Sequence, residues 1–276
     1  MSNRHRRQSI FPLLPRIAFT ACLLICACAA HQPLHAAPKT TNTQTKTKTQ
    51  KPAPAPATKP APATYKGAIL INAANGDILF QDNPDIINPP ASITKLMTFL
   101  VVHDAIAAGA LAPDTPVRVT PEDSKIGGTQ VWLAPNETFT VRELLHALLI
   151  QSANDAASAL AHAAAGDRAT FVARMNARAR DLGMTRTTFV TPHGLPPPNR
   201  RPADGDLSTP RDLATLARYL VNNTDILAYT SIAQRPFGQG TRAPDRVIQM
   251  SNHNKLLGKI QGVDGLKTGY TAGAGF

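Results

Sequence analysis

Residues 38–64 divide the chain, because this segment consists only of Pro, Ala, Thr, Lys, Gln and Asn. It carries no large apolar side chain, so burial cannot offset the conformational entropy that is lost when a chain is ordered. We therefore predict a disordered linker, in which the Pro-Ala run at 52–57 favours an extended geometry. Only the 212 residues of 65–276 remain to form a core, which is enough for one domain or two lobes.

The residues before this linker have the three parts of a secretory signal peptide. An Arg-rich start precedes an apolar stretch at 17–30, which ends in the cleavage-like sequence Ala27-Cys28-Ala29. The fourteen residues of this stretch would rise about 21 Å as a helix, less than the roughly 30 Å of a bilayer core. We assign 1–37 to a signal peptide and cleavage region, which predicts export to the periplasm or the outer face of the cytoplasmic membrane.

All three cysteines of the chain lie in this apolar stretch. The part that folds therefore has neither a disulfide framework nor a thiolate metal site. We also expect no metal and no cofactor, which is what the resemblance described below implies. Ile25-Cys26-Ala27-Cys28 partly resembles a lipobox, which would make Cys28 a lipidated N-terminus. We expect membrane association only through such a lipidated Cys28 or through an uncleaved signal.

The charge of the chain is unevenly distributed. Basic residues outnumber acidic ones by 29 to 18, but residues 1–64 hold nine of the basic ones and no Asp or Glu. The net charge of 65–276 is therefore only +2. A nucleic-acid-binding protein carries its basic surface on the folded domain, so we do not expect nucleic acid as a partner.

Helix and strand patterns alternate along 65–276, which predicts an α/β fold of the α+β type. Two apolar segments flank Asn75-Gly76 and predict a β-hairpin. Apolar residues recur at helical spacing from Ser92 onward, and the capping-box sequence Thr140-Val-Arg-Glu143 predicts a second helix. That second helix is predicted to run to about Ile150 and to end before Ser152. Further helices are predicted to end at Gly166 and at Gly183 and to begin at Thr209, and a short strand is predicted over 265–271.

Ser92 and Lys95 form a Ser-x-x-Lys motif at the start of the first long helix. One helical turn brings the amine within reach of the hydroxyl, and an amine whose pKa is lowered by burial can accept the hydroxyl proton. Ser92 is therefore a candidate nucleophile, with free N–H groups at the helix start available to stabilise an oxyanion. A single match of this kind arises about once by chance in a chain of this length, and an N-cap role also explains Ser92.

Two further motifs lie beyond the first one along the chain. Ser152-x-Asn154 supplies a second hydroxyl and an amide at a helix junction, and Lys267-Thr268-Gly269 lies in the last predicted strand. In that strand Lys supplies positive charge, Thr a hydrogen bond for a carboxylate, and Gly a close approach to the backbone. Each motif alone has a structural explanation, as a helix cap or a surface strand. Their occurrence together in this order favours a catalytic site.

The three motifs resemble the set found in penicillin-binding proteins and class A β-lactamases, although Ala153 stands where the second motif usually has Asp. Over 65–276 the chain is similar to the low-molecular-weight penicillin-binding proteins of the serine D-alanyl-D-alanine carboxypeptidase family. The blocks that carry the resemblance are 90–98, 149–155, 182–184, 192–195, 208–212 and 264–271. The resemblance implies a β-lactamase/transpeptidase-like fold, in which an antiparallel sheet is flanked by helices and joined by an all-helical lobe.

The resemblance also implies an activity: removal of the terminal D-alanine from the pentapeptide stems of peptidoglycan through an acyl-enzyme, with β-lactams as covalent inhibitors. Ser92 would be the nucleophile, Lys95 its general base, and Ser152 the group that passes a proton to the departing D-alanine. Asn154 would contact the substrate amide, and Lys267 and Thr268 would contact the terminal carboxylate. Gly269 would let the substrate approach the backbone closely. The N–H groups of Ser92 and Tyr270 would form the oxyanion hole.

His193 and Asp212 are candidates for supporting this site without touching the substrate. A loop histidine is more often structural, and the position of Asp212 at a predicted helix start already explains that residue.

Two alternatives stay open. The first is a D,D-endopeptidase of the same fold, which the short motifs cannot distinguish from a carboxypeptidase. The second is a non-catalytic module that binds the cell wall. No acid is an evident match to the deacylating Glu of class A β-lactamases, so we favour a peptidase over an antibiotic hydrolase.

The sequence ends seven residues beyond Gly269, whereas members of the similar family continue with two more strands and a closing helix. We therefore expect a fragment of a longer product, truncated at its C-terminus. Because the Lys-Thr-Gly strand would lack its neighbour, we also expect these 276 residues alone to fold poorly.

Overall fold

The computed structural model describes residues 65–196 and 201–275. The predicted signal peptide (1–37) with Cys28 and the predicted linker (38–64) lie outside the described residues. Over the described ranges, no helix combines the length and apolarity that crossing a bilayer requires.

The chain begins with the predicted hairpin. Strand β1 (Ala68–Ile71) pairs antiparallel with β2 (Ile78–Asp82). Gly76 has a φ of 87°, a left-handed conformation that costs glycine little, and its N–H donates to the carbonyl of Asn72 at 2.8 Å. The Asn-Gly signal therefore predicted this turn correctly.

Six α-helices form most of the core among the described residues. They are α1 (Lys95–Ala107), α2 (Val141–His146), α3 (Asn154–Ala165), α4 (Arg168–Asp181), α5 (Pro210–Asn223) and α6 (Leu227–Thr230). A 3-10 turn, Ala91–Thr94, leads directly into α1, and α2 continues as a π-helical segment, Ala147–Gln151. Helix α1 is buried over most of its surface, as its broad apolar pattern predicts.

Local capping chemistry fixes the helix ends. The Thr209 hydroxyl accepts the Asp212 N–H at 3.1 Å, and Pro210 begins α5, as predicted. The predicted capping box at α2 is half formed: Thr140 accepts the Glu143 N–H at 3.1 Å, but the Glu143 carboxylate accepts the Gly238 N–H at 2.9 Å instead of completing the box. A distant loop thus competes with the local partner.

Two further antiparallel pairs complete the strands of the described residues. Strand β3 (Pro116–Arg118) pairs with β4 (Thr138–Thr140), and β5 (Gln234–Phe237) pairs with β6 (Ile248–Ser251), both antiparallel. Short 3-10 turns occur at Asp123–Lys125, Pro202–Asp204 and Pro244–Arg246. The mixture of helices with separate antiparallel pairs confirms the α+β class.

The predicted strand over 265–271 is wrong for this structure. These residues form no strand, and no described segment makes a ladder of backbone hydrogen bonds with them. Side chains hold the segment instead: Thr230 donates to the Asp264 carbonyl at 3.1 Å, and Asn254 donates to the Gly265 carbonyl at 3.0 Å. A strand requires a pairing partner, and sequence propensity alone does not supply one.

Candidate active site

Ser92 lies in the 3-10 turn that precedes α1. Residues three apart eclipse one another in a 3-10 turn, which brings Ser92 onto the same side as Lys95. The turn is strained at its start, where Ala91 has a φ of 48°. Pro90, and not Ser92, occupies the cap position, so the simple N-cap role for Ser92 is not observed.

The Lys95 amine is the centre of the polar contacts around Ser92. Nζ lies 3.0 Å from Ser92 Oγ, and it donates to Asn154 Oδ1 at 2.6 Å and to the His193 carbonyl at 2.6 Å. The side chain is fully buried. Burial lowers the pKa of Lys95 well below its ordinary value, and the charge of Lys267 lowers it further. Asp206 and Asp155 act in the opposite direction.

The second motif meets the first through Asn154. The π-helical segment after α2 ends at Ser152, whose φ of 62° turns the chain so that α3 begins at Asn154. The Asn154 amide also donates to the Gly127 carbonyl at 2.8 Å, which fixes its orientation toward Lys95. Ser152 is buried beside this junction, with 2% of its surface exposed.

The Lys-Thr-Gly segment packs against the turn that holds Ser92. A methyl group placed on Gly269 would lie 2.9 Å from the Pro90 carbonyl oxygen and 3.1 Å from the Ser92 nitrogen, closer than side chains normally pack. Only glycine therefore allows this approach. Burial lowers the pKa of Lys267 to about 8, and its Nζ donates to the Thr268 carbonyl at 2.7 Å. Thr268 and Tyr270 are exposed.

His193 contributes its main chain to the site. Its carbonyl accepts a hydrogen bond from Lys95, while Nδ1 accepts the Leu195 N–H at 3.2 Å. Burial lowers the pKa of His193 to about 3, with Lys95 adding to the effect, so the imidazole is neutral near pH 7. The adjacent Gly194, with a φ of 90°, packs closely on the backbone of Ala91 and Ser92.

Asp206 is a buried carboxylate that sequence reasoning missed. It accepts the N–H groups of Val190 at 2.7 Å and Thr191 at 2.9 Å, and the hydroxyls of Thr191 and Thr94, each at 2.9 Å. It therefore ties the loop before His193 to the turn of Ser92. Asp206 lies in a loop without periodicity, and the only signal was the pair of threonine hydroxyls, which need an acceptor once they are buried.

Asp212 makes no hydrogen bond to Ser92, Lys95 or Asn154. Its carboxylate accepts the Arg186 N–H at 2.9 Å and the Thr187 hydroxyl at 2.7 Å, which holds the segment after α4 to the start of α5. Throughout 65–196 and 201–275, no group of three or more His, Cys, Asp or Glu side chains is arranged to hold a metal ion.

This chain is similar to several proteins that are named D-alanyl-D-alanine carboxypeptidases or endopeptidases. It is 34% identical over 209 residues to the D-alanyl-D-alanine carboxypeptidase DacF of Bacillus subtilis, covering 76% of this chain and 51% of the relative. It is 36% identical over 215 residues to DacC of Escherichia coli, covering 75% and 50%. A D-alanyl-D-alanine endopeptidase of Haemophilus influenzae is 32% identical over 219 residues, covering 79% and 70%.

Solved structures of proteins with similar names match the fold of this chain. The carboxypeptidase DacD of Francisella tularensis matches with a TM-score of 0.70 at 25% identity, over 77% of this chain and 61% of that one. Penicillin-binding protein D2 of Listeria monocytogenes, in its ampicillin-bound form, matches with a TM-score of 0.66 at 32% identity, over 78% and 83%. The expected penicillin-binding fold class is thereby confirmed.

The chain spans about half the length of the first two relatives, DacF and DacC. The family model described as D-alanyl-D-alanine carboxypeptidase matches residues 54–276, which include all three motifs of the site. This protein therefore belongs to the D-alanyl-D-alanine carboxypeptidase family of serine peptidases.

Proposed function

We propose that this chain is an exported serine D-alanyl-D-alanine carboxypeptidase, which removes the terminal D-alanine from peptidoglycan pentapeptides. The observation that carries the proposal is the buried Lys95 amine 3.0 Å from the Ser92 hydroxyl. In this proposal 65–276 is the penicillin-binding peptidase domain, 38–64 a linker and 1–37 a signal peptide that directs the enzyme to the periplasm.

The contacts of Lys95 suit a neutral amine. A neutral amine has two N–H groups and one lone pair, whereas an ammonium has three donors. The Asn154 and His193 oxygens, both at 2.6 Å, are pure acceptors and take the two N–H groups. The lone pair is then left for the third neighbour, the Ser92 hydroxyl. The lowered pKa of Lys95 favours this state.

The acylation step uses this arrangement directly. The Ser92 oxygen attacks the carbonyl carbon of the penultimate D-alanine while its proton moves to Lys95. The tetrahedral oxyanion is held by the backbone N–H groups of Ser92 and Tyr270. The peptide C–N bond breaks, the departing D-alanine nitrogen receives a proton through Ser152, and an ester on Ser92 remains. Water then attacks the ester with Lys95 as the base, which releases the tetrapeptide and restores the Ser92 hydroxyl.

Substrate orientation is assigned to the other two motifs. Asn154 binds the amide of the stem peptide, while the Lys267 ammonium and the Thr268 hydroxyl bind the terminal carboxylate. Protonated Lys267 also opposes a positive charge on Lys95. The same carboxylate contact serves β-lactams, which we propose as covalent inhibitors that acylate Ser92. The ampicillin-bound structure of the Listeria protein supports this part of the proposal.

A D,D-endopeptidase is the second candidate, because the Haemophilus relative bears that name. The two activities differ in the group that leaves when the peptide bond is cut. The carboxypeptidase reaction releases free D-alanine, whereas the endopeptidase reaction releases the side-chain amine of a neighbouring stem peptide that had been cross-linked to D-alanine. Parallel assays of a free pentapeptide and a cross-linked muropeptide dimer distinguish them. Faster release from the pentapeptide supports the carboxypeptidase.

The test is intact mass after incubation of the chain with benzylpenicillin, beside Ser92→Ala and, as a matched control, Ser124→Ala in the 3-10 turn Asp123–Lys125. We expect one added acyl group in the parent and in Ser124→Ala and none in Ser92→Ala. An unmodified parent chain that binds peptidoglycan would favour the non-catalytic module.

A further inference from the structure

Trp132 is the only tryptophan of the chain. Its side chain is 68% exposed, the largest fraction among the bulky apolar residues of the described ranges. Its neighbours Val131 and Leu133 are buried, at 0% and 3%. A single exposed indole between two core residues loses the burial energy that a tryptophan ordinarily contributes.

The backbone of Trp132 is strained. Its φ of 54° lies in the left-handed region, which is unfavourable for a bulky residue and which glycine adopts freely. Strain of this kind persists only where the surroundings determine the backbone on several sides.

Two buried side chains hold this backbone through its N–H and carbonyl groups. The Asp155 carboxylate accepts the Val131 N–H at 3.3 Å and the Leu133 N–H at 3.0 Å. The Arg242 guanidinium donates to the Val131 carbonyl at 2.8 Å and to the Trp132 carbonyl at 2.9 Å. None of these contacts uses the indole.

Arg242 is itself fixed in place. Its side chain is 2% exposed, and its guanidinium lies 5.0 Å from the ring centre of Phe139 and 5.1 Å from that of Phe237. Glu137 accepts two of its hydrogen bonds, at 3.0 and 2.6 Å. A buried charge is costly and is tolerated only when it is fully paired. The protein therefore holds the Trp132 backbone with a buried and fully paired charge, while the indole itself stays exposed.

The segment that carries Trp132 is tied to the second motif of the candidate active site. The segment that contains Trp132 runs beside the second motif, because the Thr129 carbonyl accepts the Asn154 N–H at 2.8 Å. Asn154 in turn contacts Lys95. Trp132 is the third residue after Thr129, so their Cα atoms are at most about 11 Å apart.

We propose that Trp132 is a binding platform for the sugar rings that carry the stem peptide. The inference rests on the proposed function, which supplies a substrate whose peptide hangs from an amino sugar. The negative face of the indole attracts the C–H groups on the face of a pyranose ring, and the indole N–H can donate to a sugar oxygen. A free pentapeptide lacks this partner, so the platform favours peptide that is attached to glycan.

The first test uses a sugar without any peptide. Tetra-N-acetylchitotetraose is titrated into the Ser92→Ala chain, whose fluorescence comes from the single tryptophan, and binding is measured in parallel by calorimetry. We expect a saturable change in Trp132 emission. Trp132→Gly, which relieves the backbone strain and keeps the chain folded, should weaken the calorimetric affinity about two- to tenfold or abolish it. Unchanged emission, or equal affinity of Trp132→Gly, overturns the platform.

The second test compares two substrates. The ratio of kcat/KM for a disaccharide-linked pentapeptide to that for a free pentapeptide should fall about two- to tenfold in Trp132→Gly. Phe80→Ala, which removes another aromatic ring that is half exposed, should keep the parent ratio. An equal fall in both variants contradicts the platform. If benzylpenicillin acylates neither the parent chain nor Trp132→Gly while the sugar still binds to Trp132, the proposed function fails and the platform stands.

Discussion

The amine nitrogen of Lys95 lies 3.0 Å from the hydroxyl oxygen of Ser92 in a site where the amine is fully buried. Lys95→Arg puts a permanent positive charge at this position and removes the base, because a guanidinium does not lose its proton in proteins. We expect the rate of acylation by a fluorescent penicillin to fall by about 10²- to 10⁴-fold. Lys259→Arg, at an exposed lysine, is the control and should acylate normally. Retained acylation in Lys95→Arg would exclude Lys95 as the base.

The pKa of Lys267, lowered to about 8 by burial, predicts how substrate binding depends on pH. Below pH 8 the amine is protonated and attracts the substrate carboxylate, and above pH 8 that charge is lost. KM for a pentapeptide should therefore rise as the pH passes through about 8. In Lys267→Arg the charge persists to much higher pH, and this rise should disappear. Steady-state kinetics from pH 6 to 10 provide the measurement, and a rise that stays near pH 8 in the variant would assign it to another group.

Gly269 lies so close to the turn of Ser92 that an added methyl group must move one of them. Because displacement of a reacting group by about 1 Å can cost 10²-fold in rate, we expect Gly269→Ala to lower penicillin acylation by about that factor. Gly127→Ala is the matched control, since alanine keeps the main-chain carbonyl that contacts Asn154 and its methyl group meets no atom within 4 Å. Equal acylation rates in the two variants would show that the Lys-Thr-Gly segment does not approach Ser92 closely.

Removal of the Asp206 carboxylate should lower the stability of the fold. Asp206→Ala leaves two N–H groups and two hydroxyls without their acceptor, and each buried donor that stays unsatisfied costs about 1–3 kcal/mol. We expect the free energy of unfolding in urea to fall by at least about 3 kcal/mol. Asp206→Asn should recover part of this loss, because its carbonyl oxygen can still accept both N–H groups. Asp245→Ala, at an exposed acid, should change stability by less than about 0.5 kcal/mol.

Several parts of the molecule could be predicted because they depend on neighbours within one turn. The Asn75-Gly76 turn, the Thr209 cap and the pairing of Ser92 with Lys95 are fixed by backbone geometry over two to four residues. Spacing along the chain contains that information directly. The candidate roles of the site residues remain predictions, which the acylation and kinetic measurements test.

The sequence by itself determined the motifs, the helix ends and the family resemblance, all of which are local or are read from the order of residues. Only the tertiary structure decided that Lys95 meets the carbonyl of His193, that Asp206 ties Thr94 to the loop before His193, and that residues 265–271 form no strand. These features join residues that lie far apart along the chain. Which distant acceptor a buried donor finds depends on how the loops pack, and loops carry no periodic pattern from which that packing could be predicted.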